Sequence, residues 1–208
     1  MMLRIIRRCL LAATLTVTTL GTVQAQPELI APLHKGELVI LIRHTATEPG
    51  LGDPPDFSLD DCSTQRNLSA QGRDQARKLG VWFEAQRIPV GEVRTSQWCR
   101  CVDTAELAFG SRHPVEPWPA INSFFQDRGS EGAATRDALA SLATPVKGNR
   151  VWVTHQVNIT ALTGIFPAMG EMVIARPVAH GDGYRLEAVG RIKPDRMLAD
   201  AQLPEFAR

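Results

Sequence analysis

After its first two dozen residues the sequence has no long apolar run, no clustered basic stretch, no low-complexity tract and no internal repeat. Each absence excludes something. Without a further stretch of about 20 apolar residues, no later segment reads as a membrane-spanning helix. With 23 basic and 22 acidic side chains in 208 residues, nothing suggests a nucleic-acid or anionic-membrane binder, since both need concentrated cations. Cysteine is scarce, four in all. Cys99-x-Cys101 lacks the usual spacing of zinc ligands, and no histidine follows at a finger-like interval, so neither a metal site nor another cofactor is expected.

What is present, 44% hydrophobic and 22% charged residues, describes an ordinary globular domain with room for a substantial core. The first residues stand apart from it. Arg4, Arg7 and Arg8 precede an apolar, Thr-rich segment from Cys9 to Leu20, and Val23-Gln24-Ala25 ends in small-residue cleavage style, the pattern of a secretory signal peptide cut after Ala25. The mature chain would run from 26 to 208 as one domain, periplasmic or secreted, with no stable membrane insertion after cleavage. Removing residues 1–25 takes away three arginines and no acid, leaving 20 basic against 22 acidic side chains. In an exported chain a disulfide is permitted, and Cys62 with either Cys99 or Cys101 is the long-range choice.

Glu37-Leu38-Val39-Ile40-Leu41-Ile42-Arg43-His44 reads as a strand buried on both faces that ends in an Arg-His pair. A Pro-containing lead (Pro27, Pro32) precedes it, and a long irregular segment from Thr45 to Asn67 comes after it, of the length that is usually functional or mobile. Ser69 is placed to cap a helix whose Gly72, Ala76, Leu79 and Phe83 recur at helical spacing. Then come a strand at 90–95, a loop and helix from 96 to 109 stopped by Gly110, a strand near 115–118, a loop from 121 to 134, and a helix around 135–142. Val151-Trp152-Val153-Thr154-His155 is a second apolar strand ending in His, followed by a helix from 156 that Gly164 ends and closing strands at 171–175 and 184–189. Alternating strands and helices predict an α/β sandwich of three layers around a mostly parallel central sheet.

In such a sheet the carboxyl ends of neighbouring strands share one edge, so His44 and His155 can meet across a single crevice. Arg100 stands in the first turn after a strand, where a cation is unfavourable for the helix dipole unless an anion binds beside it. Arg43, Arg100 and two histidines together suit a phosphate.

These residues fall into four ordered motifs: Leu41-Ile42-Arg43-His44-Thr45; Asn67-Leu68-Ser69-Ala70-Gln71-Gly72-Arg73-Asp74-Gln75-Ala76; Thr95 to Ala105; and Val153-Thr154-His155. Over residues 37 to 165 they resemble the phosphoglycerate-mutase-like branch of the histidine phosphatase superfamily, in particular its small exported bacterial members. The resemblance implies a metal-independent phosphomonoesterase on a phosphoglycerate-mutase-like fold. His44 is then the nucleophile that becomes phosphohistidine, and Arg43, Arg100 and His155 hold the transferring phosphoryl group. The implied partner is a small phosphorylated substrate, an envelope sugar phosphate among the options. A phosphotransferase or mutase and a non-catalytic phosphate-binding module are the alternatives.

Two departures qualify the resemblance. Thr45 replaces the usual Gly, setting a hydroxyl and a β-carbon beside the nucleophile, where it narrows the site or adds a phosphate contact. The usual Glu proton donor is not evident. Asp127 is the acid nearest its expected place, with Glu131 next, and Gln156 stands where another branch carries an Asp. Arg66, Gln97, Trp98 and Asn158 are further candidates for substrate contact, each with an ordinary packing, capping or ion-pair role as the alternative. His34, His113 and His180 read as surface residues. Asn158-Ile159-Thr160 matches a glycosylation acceptor, but its place just after His155 argues against use.

Overall fold

In the computed structural model, residues 27–195 and Met197 are described. The expected leader of residues 1–25 lies outside them. The elements run α1 (Pro27–Lys35), β1 (Val39–Arg43), α2 (Ala70–Ala85), β2 (Val90–Thr95), α3 (Cys99–Phe109), β3 (Val115–Pro117), α4 (Glu131–Ala140), β4 (Asn149–Thr154), α5 (Gln156–Thr163), β5 (Met172–His180) and β6 (Gly183–Ile192). They build one six-stranded sheet in the order β3-β2-β4-β1-β5-β6. The first four strands of that order are mutually parallel, while β5 and β6 are antiparallel additions at one edge. The expected mixed α/β architecture with a mostly parallel sheet is what the chain adopts.

The layers arise from the period of two along each strand. Ile40 and Ile42 of β1 enter one core with Leu79, Trp82 and Phe83 of α2 and Ala105 and Phe109 of α3. Val39 and Leu41 enter the other, with Ala138 of α4 and Ile159 and Leu162 of α5. Both sheet faces are therefore covered, which is why β1 and β4 read as unbroken apolar runs. Strand register then sets how the two strand ends meet. Arg43 pairs with Thr154 across β1 and β4, and the His44 N–H donates to the Thr154 carbonyl at 3.0 Å. His44 and His155 thus leave adjacent strands at the same level.

Several boundaries differ from the sequence reading. The lead before β1 is helical: Pro27 stands at its first position, where the missing N–H costs nothing, and Leu29 and Leu33 are buried one turn apart. Helix α4 begins at Glu131 rather than near residue 135, after a 3-10 turn at Arg128–Ser130. The final hairpin is longer than expected because its outer half, from Arg176 on, is largely exposed and carries no apolar alternation to read. Ser69 does cap α2, its Oγ accepting from the Gly72 N–H at 3.1 Å. Cys62 is bonded to Cys99, and Cys101 is buried with a free thiol. Among the described residues no helix is long and apolar enough to cross a membrane.

Candidate active site

Beyond the carboxyl ends of β1 and β4 lies a cavity of about 310 Å³ whose floor is made by Arg43, His44, Asp53, Arg66, Arg100 and His155. The two imidazoles stand with centroids 5.6 Å apart. His44 Nδ1 is 2.9 Å from the Thr45 carbonyl. A carbonyl only accepts, so Nδ1 carries the proton and Nε2 is left with its lone pair. Burial, then the positive charge of Arg100, holds His44 well below the usual histidine range, opposed only in part by that backbone bond. The imidazole is neutral, as a nucleophile must be.

His155 is fixed by a relay. Arg100 Nη2 lies 3.4 Å from His155 Nδ1, and a guanidinium only donates, so Nδ1 accepts. Nε2 then carries the hydrogen toward Ser96 Oγ at 2.8 Å, and the Ser96 hydroxyl donates to Asn122 Oδ1 at 3.2 Å. Burial and Arg100 push His155 well below its ordinary value also. It is a neutral acceptor for Arg100 rather than a further cation of the cavity.

Each arginine is braced by some of its nitrogens. Arg43 Nη1 donates to the Pro167 carbonyl at 2.9 Å. Arg66 Nε donates to the Gly52 carbonyl at 2.9 Å, and its Nη1 to Thr47 Oγ1. Arg100 Nη1 is paired with Asp53 Oδ1 at 2.7 Å, in a bridge whose side chains are 4% and 3% exposed. The Nε atoms of Arg43 and Arg100 are buried and find no acceptor among the described residues. Three guanidiniums against one carboxylate leave the floor with an excess of two positive charges. An anion with several oxygens answers that charge.

Of the residues singled out from sequence, Arg43, His44, Arg66, Arg100 and His155 are brought together on this floor. Gln156 lines the cavity wall, and the others are elsewhere. Thr45 turns away from the cavity, its backbone N–H and hydroxyl both on Thr104 Oγ1 at 3.2 Å, so it neither narrows the site nor reaches a phosphate. Gln97 accepts from Asn122 Nδ2 at 2.8 Å, and Asn158 donates to the Asn122 carbonyl at 2.8 Å. Both order the loop after β3 instead of lining the cavity. Asp127 is exposed at the start of the 3-10 turn and Glu131 sits 3.6 Å from Arg128. Neither borders the cavity, because the turn carries them past its rim, and the loop faces in through Ser123, Phe125 and Gln126 instead. His34 and His180 are exposed and His113 is half-buried.

Sequence reasoning missed Asp53. Its Oδ1 takes Arg100 and the Arg66 N–H at 3.0 Å, and its Oδ2 takes the Trp98 indole N–H at 3.0 Å. Burial alone would raise this carboxyl, but the Arg100 hydrogen bond and charge, with the Arg66 and Trp98 donors, bring it below the ordinary aspartate value. Its place in a Gly/Pro-rich loop gave no signal. Ser96 and Asn122 were likewise unmarked, being small polar residues whose role exists only through His155. Among the described residues no cluster of three His, Cys, Asp or Glu is arranged to hold a metal ion.

A family model, the histidine phosphatase superfamily (branch 1), matches residues 39–126. Two solved structures carry the fold comparison. The protein histidine phosphatase SixA complexed with tungstate is 16% identical, with 77% of this chain and 99% of that one covered at a TM-score of 0.50. Phosphoserine phosphatase from Entamoeba histolytica, in complex with 3-phosphoglyceric acid, is 14% identical, with 77% and 98% covered at a TM-score of 0.54. At these identities the likeness speaks to fold. No curated protein sequence matches the chain.

Proposed function

We propose that this chain, which carries the histidine phosphatase superfamily pattern over residues 39–126, is a phosphomonoesterase working through a phosphohistidine on His44. The observation that supports this best is a neutral His44, protonated at Nδ1, set beside Arg43, Arg66 and Arg100 in one cavity whose charge is in excess by two. The Nε2 lone pair attacks phosphorus in line with the ester oxygen. The Nε2–P bond forms as the P–O ester bond breaks, and the ester oxygen leaves with the electron pair. Arg43 and Arg100 hold the equatorial oxygens where charge concentrates. Fixed guanidiniums supply this stabilisation directly, so the reading needs no metal. Water then displaces the imidazole, returning the electron pair to Nε2 and releasing phosphate.

His155 and Asp53 act on Arg100 from two sides, setting the plane of its guanidinium, and are positioning residues. The amino-terminal pattern and the Cys62–Cys99 disulfide support an exported enzyme acting on a small phosphorylated molecule. Because neither Asp127 nor Glu131 borders the cavity, a phosphate-binding module is the competing reading. One experiment separates them. Brief incubation with ³²P-labelled substrate should trap an acid-labile phosphoenzyme. His44→Ala should abolish both label and hydrolysis, by at least about 10³-fold, at unchanged secondary structure. A folded His44→Ala protein with normal turnover refutes the proposal, and binding without label or turnover in the wild type favours the module.

A further inference from the structure

Large hydrophobic side chains that stand exposed among the described residues are Leu51 (90%), Val81 (49%), Phe125 (45%) and Phe166 (67%). Scattered singly, such residues are ordinary. Here Leu51, Phe125 and Phe166 border the same cavity as His44. They come from three separate loops: after β1, before α4 and before β5. The first two loops approach each other, since a β-carbon at Gly52, next to Leu51, would lie 3.7 Å from the Phe125 ring. The uncharged Ser123, Gln126, Gln156 and Val157 complete the upper wall. The site is thus a cationic floor under an uncharged, largely apolar mouth.

A second observation concerns the leaving oxygen. An alkoxide needs a proton from a nearby acid as it departs. Asp53 is the carboxylate bordering the cavity, and both its oxygens are occupied by Arg100, the Arg66 N–H and the Trp98 indole. A phenol, with pKa about 10 like the tyrosine side chain, leaves as the oxide without such help.

We propose that the ester cleaved here is an aryl phosphate, its aromatic group seated against Leu51, Phe125 and Phe166 while the phosphate lies on the arginine floor. This rests on the phosphatase reading of the same site. In the first displacement the Nε2–P bond forms and the P–O(aryl) bond breaks. The aryl oxide leaves with the electron pair and takes a proton from water in the open mouth. In the second, water's oxygen bonds to phosphorus, the P–N bond breaks, and the proton that water releases balances the one consumed. The sum is ester plus water giving phenol plus phosphate.

The test compares 2-naphthyl, phenyl and glycerol phosphates. The two aryl esters differ in apolar area but little in leaving-group acidity. Naphthyl phosphate should have a kcat/KM about ten-fold above phenyl phosphate, with glycerol phosphate lowest. Replacing the rim together, Leu51→Ser, Phe125→Ser and Phe166→Ser, should bring the naphthyl-to-phenyl ratio near one, whereas Val81→Ser on the far helix leaves it unchanged. The single variants read the same ratio should the triple variant not fold. A wild-type ratio of one, a ratio that survives the rim changes, or glycerol phosphate turned over as well as naphthyl phosphate overturns the inference. If hydrolysis is His44-dependent but indifferent to the ester, the inference alone falls. If no ester yields a phosphoenzyme, the phosphatase reading falls.

Discussion

Replacing Asp53 with Asn separates anion binding from catalysis at Arg100. The side chain keeps its shape, so Arg100 Nη1 retains an acceptor, but the ionic partner of a bridge buried to 4% and 3% is lost and an amide N–H₂ replaces the oxygen that took the Trp98 indole. Breaking a buried pair from one side costs about 3–5 kcal/mol; the acceptor that Asn keeps lowers this to roughly 2–3 kcal/mol, or about 4–12 °C in Tm for a domain of this size. Inorganic phosphate should respond in the opposite sense. Two like unit charges about 8 Å apart at an effective dielectric near 20 repel by roughly 2 kcal/mol, so removal of the Asp53 charge should tighten phosphate about thirty-fold. Meanwhile kcat should fall by about ten-fold or more, because Arg100 loses one of the two groups that aim it. Calorimetric titration with phosphate, thermal melts and turnover of an aryl phosphate measure the three quantities. The pH dependence adds a check. The Asp53 carboxyl lies below its unfolded value, so its contribution is fully present above about pH 4 and lost as pH falls further; the Tm gap to Asp53→Asn should be constant from pH 8 to about 5 and close below 4. Equal stability, phosphate affinity and kcat in the two proteins would refute the role given to Asp53.

The buried histidines make a second pH signature. His44 and His155 are held neutral by burial and Arg100, so the stability they lend is full above the unfolded value near 6.5 and declines as pH drops below it, by up to about 1.4 kcal/mol per pH unit for each. Melts in phosphate-free buffer from pH 7.5 to 5 should show this decline, and His155→Gln should halve it; a flat profile would mean the imidazoles are not held neutral. At Gly72 an added β-carbon would lie 1.8 Å from the Ala46 carbonyl oxygen, two residues after His44. Gly72→Ala should therefore cost about 2–3 kcal/mol and lower kcat at least ten-fold by displacing His44, and unchanged melts and turnover would show that the helix does not press on that loop.

The parts of the site legible in the sequence are those that regular structure delivers. Apolar runs marked β1 and β4, and because a parallel sheet aligns carboxyl ends, two histidines 111 residues apart were readable as neighbours, as their 5.6 Å separation shows. Arg100 was readable from the helix that starts beside it. Residues carried by irregular chain were not. Asp53 owes its place to the path of the loop between β1 and α2, tied to α3 through Cys62–Cys99, and no periodicity encodes that path. Thr45 was misplaced for a related reason: the residue after a strand end can face either way, and here Thr104, one turn along α3 from Arg100, takes its hydroxyl. The acid expected at Asp127 went astray because the 3-10 turn before α4 rotates that position to solvent.

The same electrostatics that bind an anion limit how the site can use an acid. Three guanidiniums around one cavity favour every ionised carboxylate near them, and Asp53 is the example, held ionised despite its burial. A carboxylic acid set on this floor would surrender its proton to the field before a leaving group asked for it. A strongly cationic floor and a general acid therefore compete, unless the acid stands well off the floor or the ester needs none. With Asp127 and Glu131 both turned away from the cavity, the proposed aryl ester meets the second condition, and the apolar side chains at the mouth are where it would be selected.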